Sequence, residues 1–440
     1  MDAAEYAKRR KQLMRMMGED SVAILPAAPV RVRSRDVEHR YRQDSDFHYL
    51  TGFPEPEAVA VISPGRAGGE FVLFCRERNP ERELWDGARA GTEGAVSDYG
   101  ADDAFPIDDI NDILPGMLES AERVFYTMGQ YPEFDHQVTE WVCGLRGRNI
   151  AGVDAPSAFV SLDHYLHDMR LFKSRREISR LRQSAKVAVA AHKRAMRAVQ
   201  PGMYEYELEA EYQHEFRRHG ATASYPPIVG GGANACILHY IENADVLNDG
   251  DLVLVDAGCE LDLYASDVTR TFPVNGRFTA EQRAVYDVVL DAQEAAIEAT
   301  VAGNHWNAPH DAAVKVITRG LRALGLLEGN LSTLIKNEAY RQFFMHRTGH
   351  WLGIDVHDVG DYKVDDAWRE LEPGMVTTVE PGIYIAPDAR VEKRWRGIGV
   401  RIEDDVAVTR SGPDVLSKGL VKTADDIERW MAGSARSRAA

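Results

Sequence analysis

The sequence predicts two domains, an α/β domain over residues 1–171 and an α+β domain over residues 172–440. Three observations support this division. The chain has 440 residues, 44% of them hydrophobic, which is typical of two or three globular domains. Short strand-like runs alternate with helical stretches in the first third. The pattern then changes to two helices followed by strand-rich segments.

The N-terminal domain is predicted from its hydrophobic pattern. Apolar runs at residues 21–25, 58–62 and 70–74 predict strands, and residues 109–121 predict a helix. Strands that alternate with helices are typical of an α/β domain.

A helix signal marks the start of the second domain. Ser174 followed by Glu177 predicts a capping box, in which each side chain accepts a hydrogen bond from the backbone N–H of the other residue. The Ala- and Leu-rich stretch that follows predicts a helix up to Pro201. A second helix is predicted over residues 205–219, ending before Gly220.

Charge and cysteine content narrow the class of protein. Lys and Arg number 52 against 69 Asp and Glu, a net charge of -17, which argues against binding to nucleic acid or anionic membranes. The four cysteines form no Cys-x-x-Cys pair, and no apolar run of about 18 residues occurs. We therefore expect a cytoplasmic protein that binds neither nucleic acid nor membrane.

Residues 251–272 predict a β-hairpin that carries two aspartates. With the turn at residues 260–263, Asp256 and Asp267 lie opposite each other, with Cβ atoms about 4.5 to 5.5 Å apart. Two carboxylates this close repel in a half-buried site, so we expect a cation between them. The alternative is that one aspartate closes a turn or is out of register, because this spacing alone is weak evidence.

A later segment contains three histidines, His346, His350 and His357, within twelve positions. Glycines interrupt it, so His346 and His350 are not expected to form a helical zinc pair. The alternative is that these histidines lie at the surface or cap the core.

Two strand-like runs each carry a glutamate, Glu380 and Glu403, among β-branched residues. An ionised side chain there is costly without a partner. Alternation puts Arg401 and Glu403 on one face of a strand, so an ion pair between them is one explanation. That pair leaves Glu380 unexplained.

Together these segments offer four carboxylates and one imidazole as candidate metal ligands: Asp256, Asp267, His350, Glu380 and Glu403. An oxygen-rich set favours hard divalent ions such as Mn²⁺, although Co²⁺, Fe²⁺ and Zn²⁺ also bind such ligands. Four carboxylates carry four negative charges, which two divalent ions balance. We therefore expect two divalent ions, with Mn²⁺ preferred.

The motifs around these residues resemble the pita-bread metallopeptidases, which include methionine aminopeptidase, prolidase and aminopeptidase P. They are VDAG and SDVTRT in the hairpin, HRTGHWLGIDVHD, TVEPGIY and RIEDD. The N-terminal segments YRQDSDF, LTGF and ELWDG are similar to the N-terminal domain of bacterial aminopeptidase P. The resemblance implies a metallo-aminopeptidase that removes the residue preceding proline from a peptide N-terminus, with dipeptide-specific prolidase as the alternative.

The same resemblance implies roles for the ligands. Asp256 and Asp267 chelate one ion, while Asp267, His350, Glu380 and Glu403 hold the other. A hydroxide between the ions attacks the Xaa-Pro bond, and Glu380 is its proton partner.

Four further residues are implied to be catalytic. His239 and His357 stabilise the oxyanion, His346 places the substrate around the leaving proline, and Arg401 lies at the same face of the site. From its sequence context alone, His239 is equally well explained as a core histidine at a strand end.

The resemblance also implies partners. The substrates are peptides with proline at position two, and the N-terminal domain closes the cleft on the substrate's amino side. That domain also provides contacts in a homo-oligomer, a dimer or a tetramer, in which Trp85 lies near a neighbouring active site. A non-enzymatic binding module is disfavoured, because all five ligand positions are filled.

Overall fold

The computed structural model describes residues 1–119 and 121–438 and forms two compact units, Met1–Met169 and Arg170–Ala440. The predicted boundary, after residue 171, lies close to this division. Within the described residues no helix combines the length and the hydropathy that a membrane crossing needs.

The first unit is an α/β unit. Its helices are α1 (Ala3–Met17), α2 (Ser45–Thr51), α3 (Pro80–Asp86), α4 (Gly91–Ser97), α5 (Ile110–Leu118), α6 (Pro132–Gly147) and α7 (Asp163–Leu171). Its strands are β1 (Ser21–Pro26), β2 (Val32–Ser34), β3 (Val37–Glu38), β4 (Val59–Ile62), β5 (Phe71–Cys75), β6 (Asp103–Pro106), β7 (Arg123–Phe125) and β8 (Ala158–Val160). Short 3-10 turns occupy Ile107–Asp109 and Asn149–Ala151.

The sheet of this unit has the strand order β6-β5-β4-β1-β7-β8. Strand β1 is antiparallel to β4 and parallel to β7. The strands predicted from the apolar runs correspond to β1, β4 and β5, whose side chains are almost all buried. Helices α5 and α6 pack apolar side chains against this sheet, which confirms the α/β prediction.

The second unit is an α+β unit. Its further helices are α8 (Arg175–Ala198), α9 (Glu205–Arg218), α10 (Ala280–Ala299), α11 (Ala308–Ala323), α12 (Leu331–Lys336) and α13 (Ala424–Arg438). The strands of its first half are β9 (Thr222–Ala223), β10 (Ile228–Gly231), β11 (Leu252–Asp256), β12 (Cys259–Leu261), β13 (Tyr264–Ala265) and β14 (Thr269–Pro273). The strands of its second half are β15 (Lys363–Val364), β16 (Ala367–Trp368), β17 (Val376–Val379), β18 (Gly382–Ile385), β19 (Ile398–Arg401), β20 (Asp404–Thr409) and β21 (Gly412–Val415). Short 3-10 turns occupy Gly232–Cys236, Ala339–Gln342 and Lys393–Trp395.

Helices followed by strands occur twice in this unit, as α8 and α9 before β9–β14 and as α10, α11 and the short α12 before β15–β21. The strands form small antiparallel sheets, among them β10-β11-β14, β13-β12-β9, β17-β20-β21 and β18-β19. One large apolar cluster packs the helices against these sheets, which confirms the α+β prediction.

Helix α8 begins where the capping signal predicts. The Ser174 hydroxyl accepts from the Glu177 backbone N–H at 3.3 Å, and the Glu177 carboxylate accepts from the Ser174 N–H at 2.9 Å. Its buried residues recur at helical spacing, so one face of α8 packs on the sheets.

The predicted acidic hairpin forms, but its predicted register was wrong. Asp256 is paired with Thr269 and not with Asp267. The turn is shorter than predicted and consists of Asp262 and Leu263, whose φ angles of 51° and 66° are typical of a type I′ turn. A shift of two residues leaves both aspartates on one face of the sheet, because side chains alternate with a period of two.

Candidate metal centre

A cavity of about 450 Å³ in the second unit brings together all the candidate metal ligands and the four candidate catalytic residues named from the sequence. Its lining includes His239, Asp256, Asp267, His346, His350, His357, Glu380, Arg401 and Glu403. Four further lining residues were not predicted: Leu238, Arg347, Gly349 and Tyr362.

The carboxylates of this cavity lie at or beside the ends of buried strands. Asp256 is the last residue of β11, and Asp267 lies two positions before β14. Glu380 directly follows β17, and Glu403 directly precedes β20. Because these strands are anchored in the apolar core, their ends hold the carboxylates at fixed positions.

Ligand atoms within 4.8 Å of one another form three overlapping groups of residues. One contains Asp256, Asp267 and Glu403, and a second contains His350, Glu380 and Glu403. The third contains Asp267, His350 and His357. Such carboxylate and imidazole donors fit a divalent cation, and the sharing of Asp267, His350 and Glu403 between groups fits neighbouring ions.

The pKa shifts within this cluster also indicate that it favours positive charge. Burial, reinforced by Asp267, raises the pKa of Asp256 to about 6, and burial raises the pKa of Glu380 to about 7. Burial and the neighbouring carboxylates raise the pKa of Glu403 far above its ordinary value. Burial alone lowers the pKa of His350, but the carboxylates of Asp267 and Glu380 outweigh it and raise that pKa to about 9. These raised pKa values mean that the metal-free cluster tends to retain protons. A bound cation would displace them.

The imidazole of His350 is oriented by backbone contacts. Its Nδ1 lies 2.9 Å from the Trp351 carbonyl oxygen, so Nδ1 carries a proton and donates to that oxygen, while Nε2 is the nitrogen that can bind a cation once its own proton is lost. Nε2 lies 3.3 Å from Asp267 and 3.7 Å from Glu380. The preceding Gly349 lies so close to β17 that a Cβ atom would be 2.1 Å from the Thr378 carbonyl oxygen. Glycine at this position therefore lets the histidine segment approach the strand.

Arg401 forms an ion pair with Asp256 and not with Glu403, the partner that the sequence offered as one explanation. Its guanidinium donates to the Asp256 carboxylate at 2.7 Å, to the Tyr384 hydroxyl at 3.0 Å and to the Thr269 hydroxyl at 3.2 Å. The Tyr384 hydroxyl lies 2.9 Å from Nε2 of His346. Arg401 therefore holds Asp256 and, through Tyr384, is connected to His346.

Three residues that the sequence did not predict make contacts to the candidate ligands. The Tyr225 hydroxyl lies 2.5 Å from an oxygen of each hairpin aspartate. The Thr269 hydroxyl donates to Glu403 at 2.7 Å, and the Asp405 carboxylate accepts from the Asp267 backbone N–H at 3.2 Å. None has a local sequence signal, because each partner comes from a separate segment or strand.

His239 and His357 are exposed to the cavity. The His357 ring packs edge-on against His350 with the centroids 4.3 Å apart. His357 also belongs to one of the possible ligand groups, so its assignment as catalytic and not metal-binding stays a prediction.

Comparison with known families agrees with this geometry. Residues 179–410 match the model of metallopeptidase family M24, and residues 6–126 match the aminopeptidase P N-terminal domain. The chain is 46% identical to the Xaa-Pro aminopeptidase of Escherichia coli strain K12, with 98% of each chain covered.

Solved structures share the fold over the whole chain. Pseudomonas aeruginosa aminopeptidase PepP has a TM-score of 0.98 and 59% identity, with 99% of each chain covered. Zinc-substituted Escherichia coli aminopeptidase P in complex with product has a TM-score of 0.96 and 45% identity, again with 99% of each chain covered. The second unit has the pita-bread fold that the sequence predicted. With its carboxylate-rich cavity and its match over residues 179–410, the chain belongs to metallopeptidase family M24 and carries an aminopeptidase P N-terminal domain.

Proposed function

We propose that this chain is a Xaa-Pro aminopeptidase, a metal-dependent hydrolase that removes the residue preceding proline from a peptide N-terminus. The observation that carries this proposal is the cavity in which four carboxylates and His350 converge. The relatives named Xaa-Pro aminopeptidase match nearly the full chain, which supports the substrate class.

The metal content is part of the proposal. Asp256 and Asp267 would hold one ion, and Asp267, His350, Glu380 and Glu403 would hold the other, with Asp267 and Glu403 shared. The overlapping ligand groups support this arrangement. We propose Mn²⁺, because the donors are mostly carboxylate oxygens, with Co²⁺, Zn²⁺ and Fe²⁺ as alternatives.

Ions bound here would lower the pKa of water and so provide hydroxide near neutral pH. Glu380 would accept a proton from the attacking water and return it to the departing proline nitrogen. His239 and His357 would donate hydrogen bonds to the developing oxyanion, which fits their exposure to the cavity. His346 would position the substrate near the proline, with its ring held by the Tyr384 hydroxyl.

The prolidase alternative is not favoured. A prolidase needs a free cationic group for the terminal carboxylate of a dipeptide, and Arg401 is the candidate from the sequence. Its side chain is only 4% exposed, and its nitrogens already contact Asp256, Tyr384 and Thr269. Arg401 is therefore better suited to hold Asp256 than to bind a substrate carboxylate.

We also propose that the chain forms a homo-oligomer in the cytoplasm. Leu84 and Trp85 on α3 are 85% and 86% exposed, which supports a homo-oligomer, a dimer or a tetramer, in which a second copy covers them. Free cysteines support a reducing, cytoplasmic compartment. The role of residues 1–171 as a wall on the amino side of the substrate stays a prediction.

The substrate class is tested with three peptides: Gly-Pro, a Xaa-Pro-Xaa tripeptide and the N-acetylated tripeptide. We expect the free tripeptide to be cleaved fastest, the acetylated one to be inert and chelation to abolish activity. A clear preference for the dipeptide would favour prolidase instead.

A further inference from the structure

Helix α8 carries a histidine that is fully buried against the acidic hairpin. Nε2 of His192 lies 3.2 Å from the carbonyl oxygen of Ala257 and 2.9 Å from that of Val268. Ala257 directly follows Asp256, and Val268 directly follows Asp267. One ring nitrogen therefore links the two arms of the hairpin at the residues next to the two hairpin aspartates.

The protonation of this ring follows from its partners. Both partners of Nε2 are carbonyl oxygens, which only accept hydrogen bonds, so Nε2 carries the proton. Nδ1 then accepts, and the Tyr212 hydroxyl lies 2.9 Å from it and donates. Burial lowers the pKa of His192 to about 3, so the ring is neutral at physiological pH. The two carbonyl oxygens thus fix the tautomer, and the Tyr212 hydroxyl completes it by donating to Nδ1.

The two arms of the hairpin approach each other closely beside this contact. A Cβ atom on Gly258 would lie 1.7 Å from the Ser266 carbonyl oxygen, so only glycine fits. Ser184 lies two helical turns before His192 on the same face of α8, and its hydroxyl donates to the Cys259 carbonyl at 2.6 Å. Helix α8 therefore holds the hairpin on both sides of Gly258.

We propose that His192, with Tyr212, is a positioning residue that holds Asp256 and Asp267 at the separation needed to chelate one ion. This inference rests on the proposed metal centre. A residue that orients ligands from behind affects the affinity for metal, whereas a buried residue with a structural role alone affects only stability.

The test compares Mn²⁺ binding with the stability of the metal-free, full-length protein. His192→Gln offers an amide N–H near the position of Nε2, whereas His192→Leu fills similar space without a donor. Thr318→Val is the control, because it removes a buried hydroxyl whose hydrogen bond to Val314 lies within α11. Calorimetric titration measures the affinity, and circular dichroism measures the Tm of each metal-free variant.

We expect His192→Leu to bind Mn²⁺ about 10- to 100-fold more weakly than the unmodified protein. His192→Gln should restore most of that affinity, and Thr318→Val should lower only the Tm. Unchanged affinity in His192→Leu, or an equal loss in Thr318→Val, would overturn the inference while leaving the metal centre intact. If the unmodified protein bound none of Mn²⁺, Co²⁺, Zn²⁺ and Fe²⁺, both proposals would be overturned.

Tyr212→Phe replaces His192→Leu if that variant does not fold, because it removes a single hydroxyl. A loss of affinity near the lower end of the range, about 10-fold, is expected. Unchanged affinity in Tyr212→Phe would then overturn the role of the pair.

Discussion

Glu403 and Asp404 are neighbours in the sequence and are both buried, yet their surroundings have opposite charge. The Asp404 carboxylate accepts from Arg270 at 2.7 Å, Gln293 at 2.9 Å and Ser417 at 2.7 Å. Although burial opposes its ionisation, Arg270 holds the pKa of Asp404 below its ordinary value. Burial and nearby carboxylates instead raise the pKa of Glu403.

Asp358, which directly follows His357, is like Asp404 a buried acid paired with cations. It pairs with Arg170 at 2.6 Å and with Lys173 at 2.9 Å, and these cations outweigh burial and lower its pKa. The comparison separates two kinds of buried acid. Where the chain's own cations match the acid, as at Asp404 and Asp358, removing the acid would leave a cation buried and unpaired. Where carboxylates outnumber cations, a cation from solution is expected to bind.

Asp267→Asn should have the largest effect on activity, because it removes a charge shared by both proposed ions. Loss of metal assistance worth several kcal/mol lowers kcat by at least about 10³-fold. Elemental analysis of the purified variant should show reduced metal content. Metal content and activity near those of the unmodified protein would contradict the assignment.

Asp404→Asn should have the opposite effect from Asp267→Asn. This variant should lose stability but retain its bound metal. It leaves Arg270 buried without its charged partner, which costs about 3 to 5 kcal/mol of unfolding free energy. Denaturant titration measures the cost. The control is Asp414→Asn, in a half-buried pair with Arg182, which should cost less than about 1 kcal/mol. Loss of bound metal from a folded Asp404→Asn protein would remove the distinction between the two acids.

His239→Ala and His357→Ala separate the ligands from the other residues of the cavity. Both rings face the cavity, and neither is proposed to bind an ion. Each substitution should lower kcat by about 10² to 10³-fold with metal content near normal. Stoichiometric loss of one ion from His357→Ala would assign that ring to the ligands.

The smallest expected effect concerns the metal-free protein and its dependence on pH. The folded-state pKa of Glu380, about 7, lies above its ordinary value of 4.5, so the folded state binds more protons between these values. The contribution of Glu380 to stability therefore falls as pH rises through that window. Glu380→Gln should raise the unfolding free energy of the metal-free protein by about 1 kcal/mol near pH 8. If the variant and the unmodified protein were equally stable at every pH, a neighbouring group would already balance the charge of Glu380, which would contradict the prediction.

The sequence identified the four candidate carboxylate ligands because each lies in or beside a strand-like run where a charge needs a partner, and it identified His350 from the density of histidines in its segment. The hairpin register was missed because the turn uses Asp262 and Leu263, which carry no glycine signal for positive φ. The ion pair of Arg401 with Glu403, one explanation that the sequence offered, is not the one that forms, because its partner Asp256 is 145 positions away. Such long-range partners depend on tertiary packing and not on local pattern.

His192 shows the same limit on α8. In the sequence it is one residue of an Ala-rich helix, and its polar ring has no visible partner. Its function becomes apparent only where the hairpin carbonyls of Ala257 and Val268 meet it in the core.

The central claim, that the buried carboxylates around Glu403 form a dinuclear catalytic centre, is tested most directly by titrating the metal-free, full-length protein with Mn²⁺. Bound ions per chain and hydrolysis of a Xaa-Pro-Xaa tripeptide are measured on the same samples. We predict two ions per chain, with hydrolysis appearing as they bind. Full hydrolysis with only trace metal, or saturation at one ion per chain, would contradict this claim.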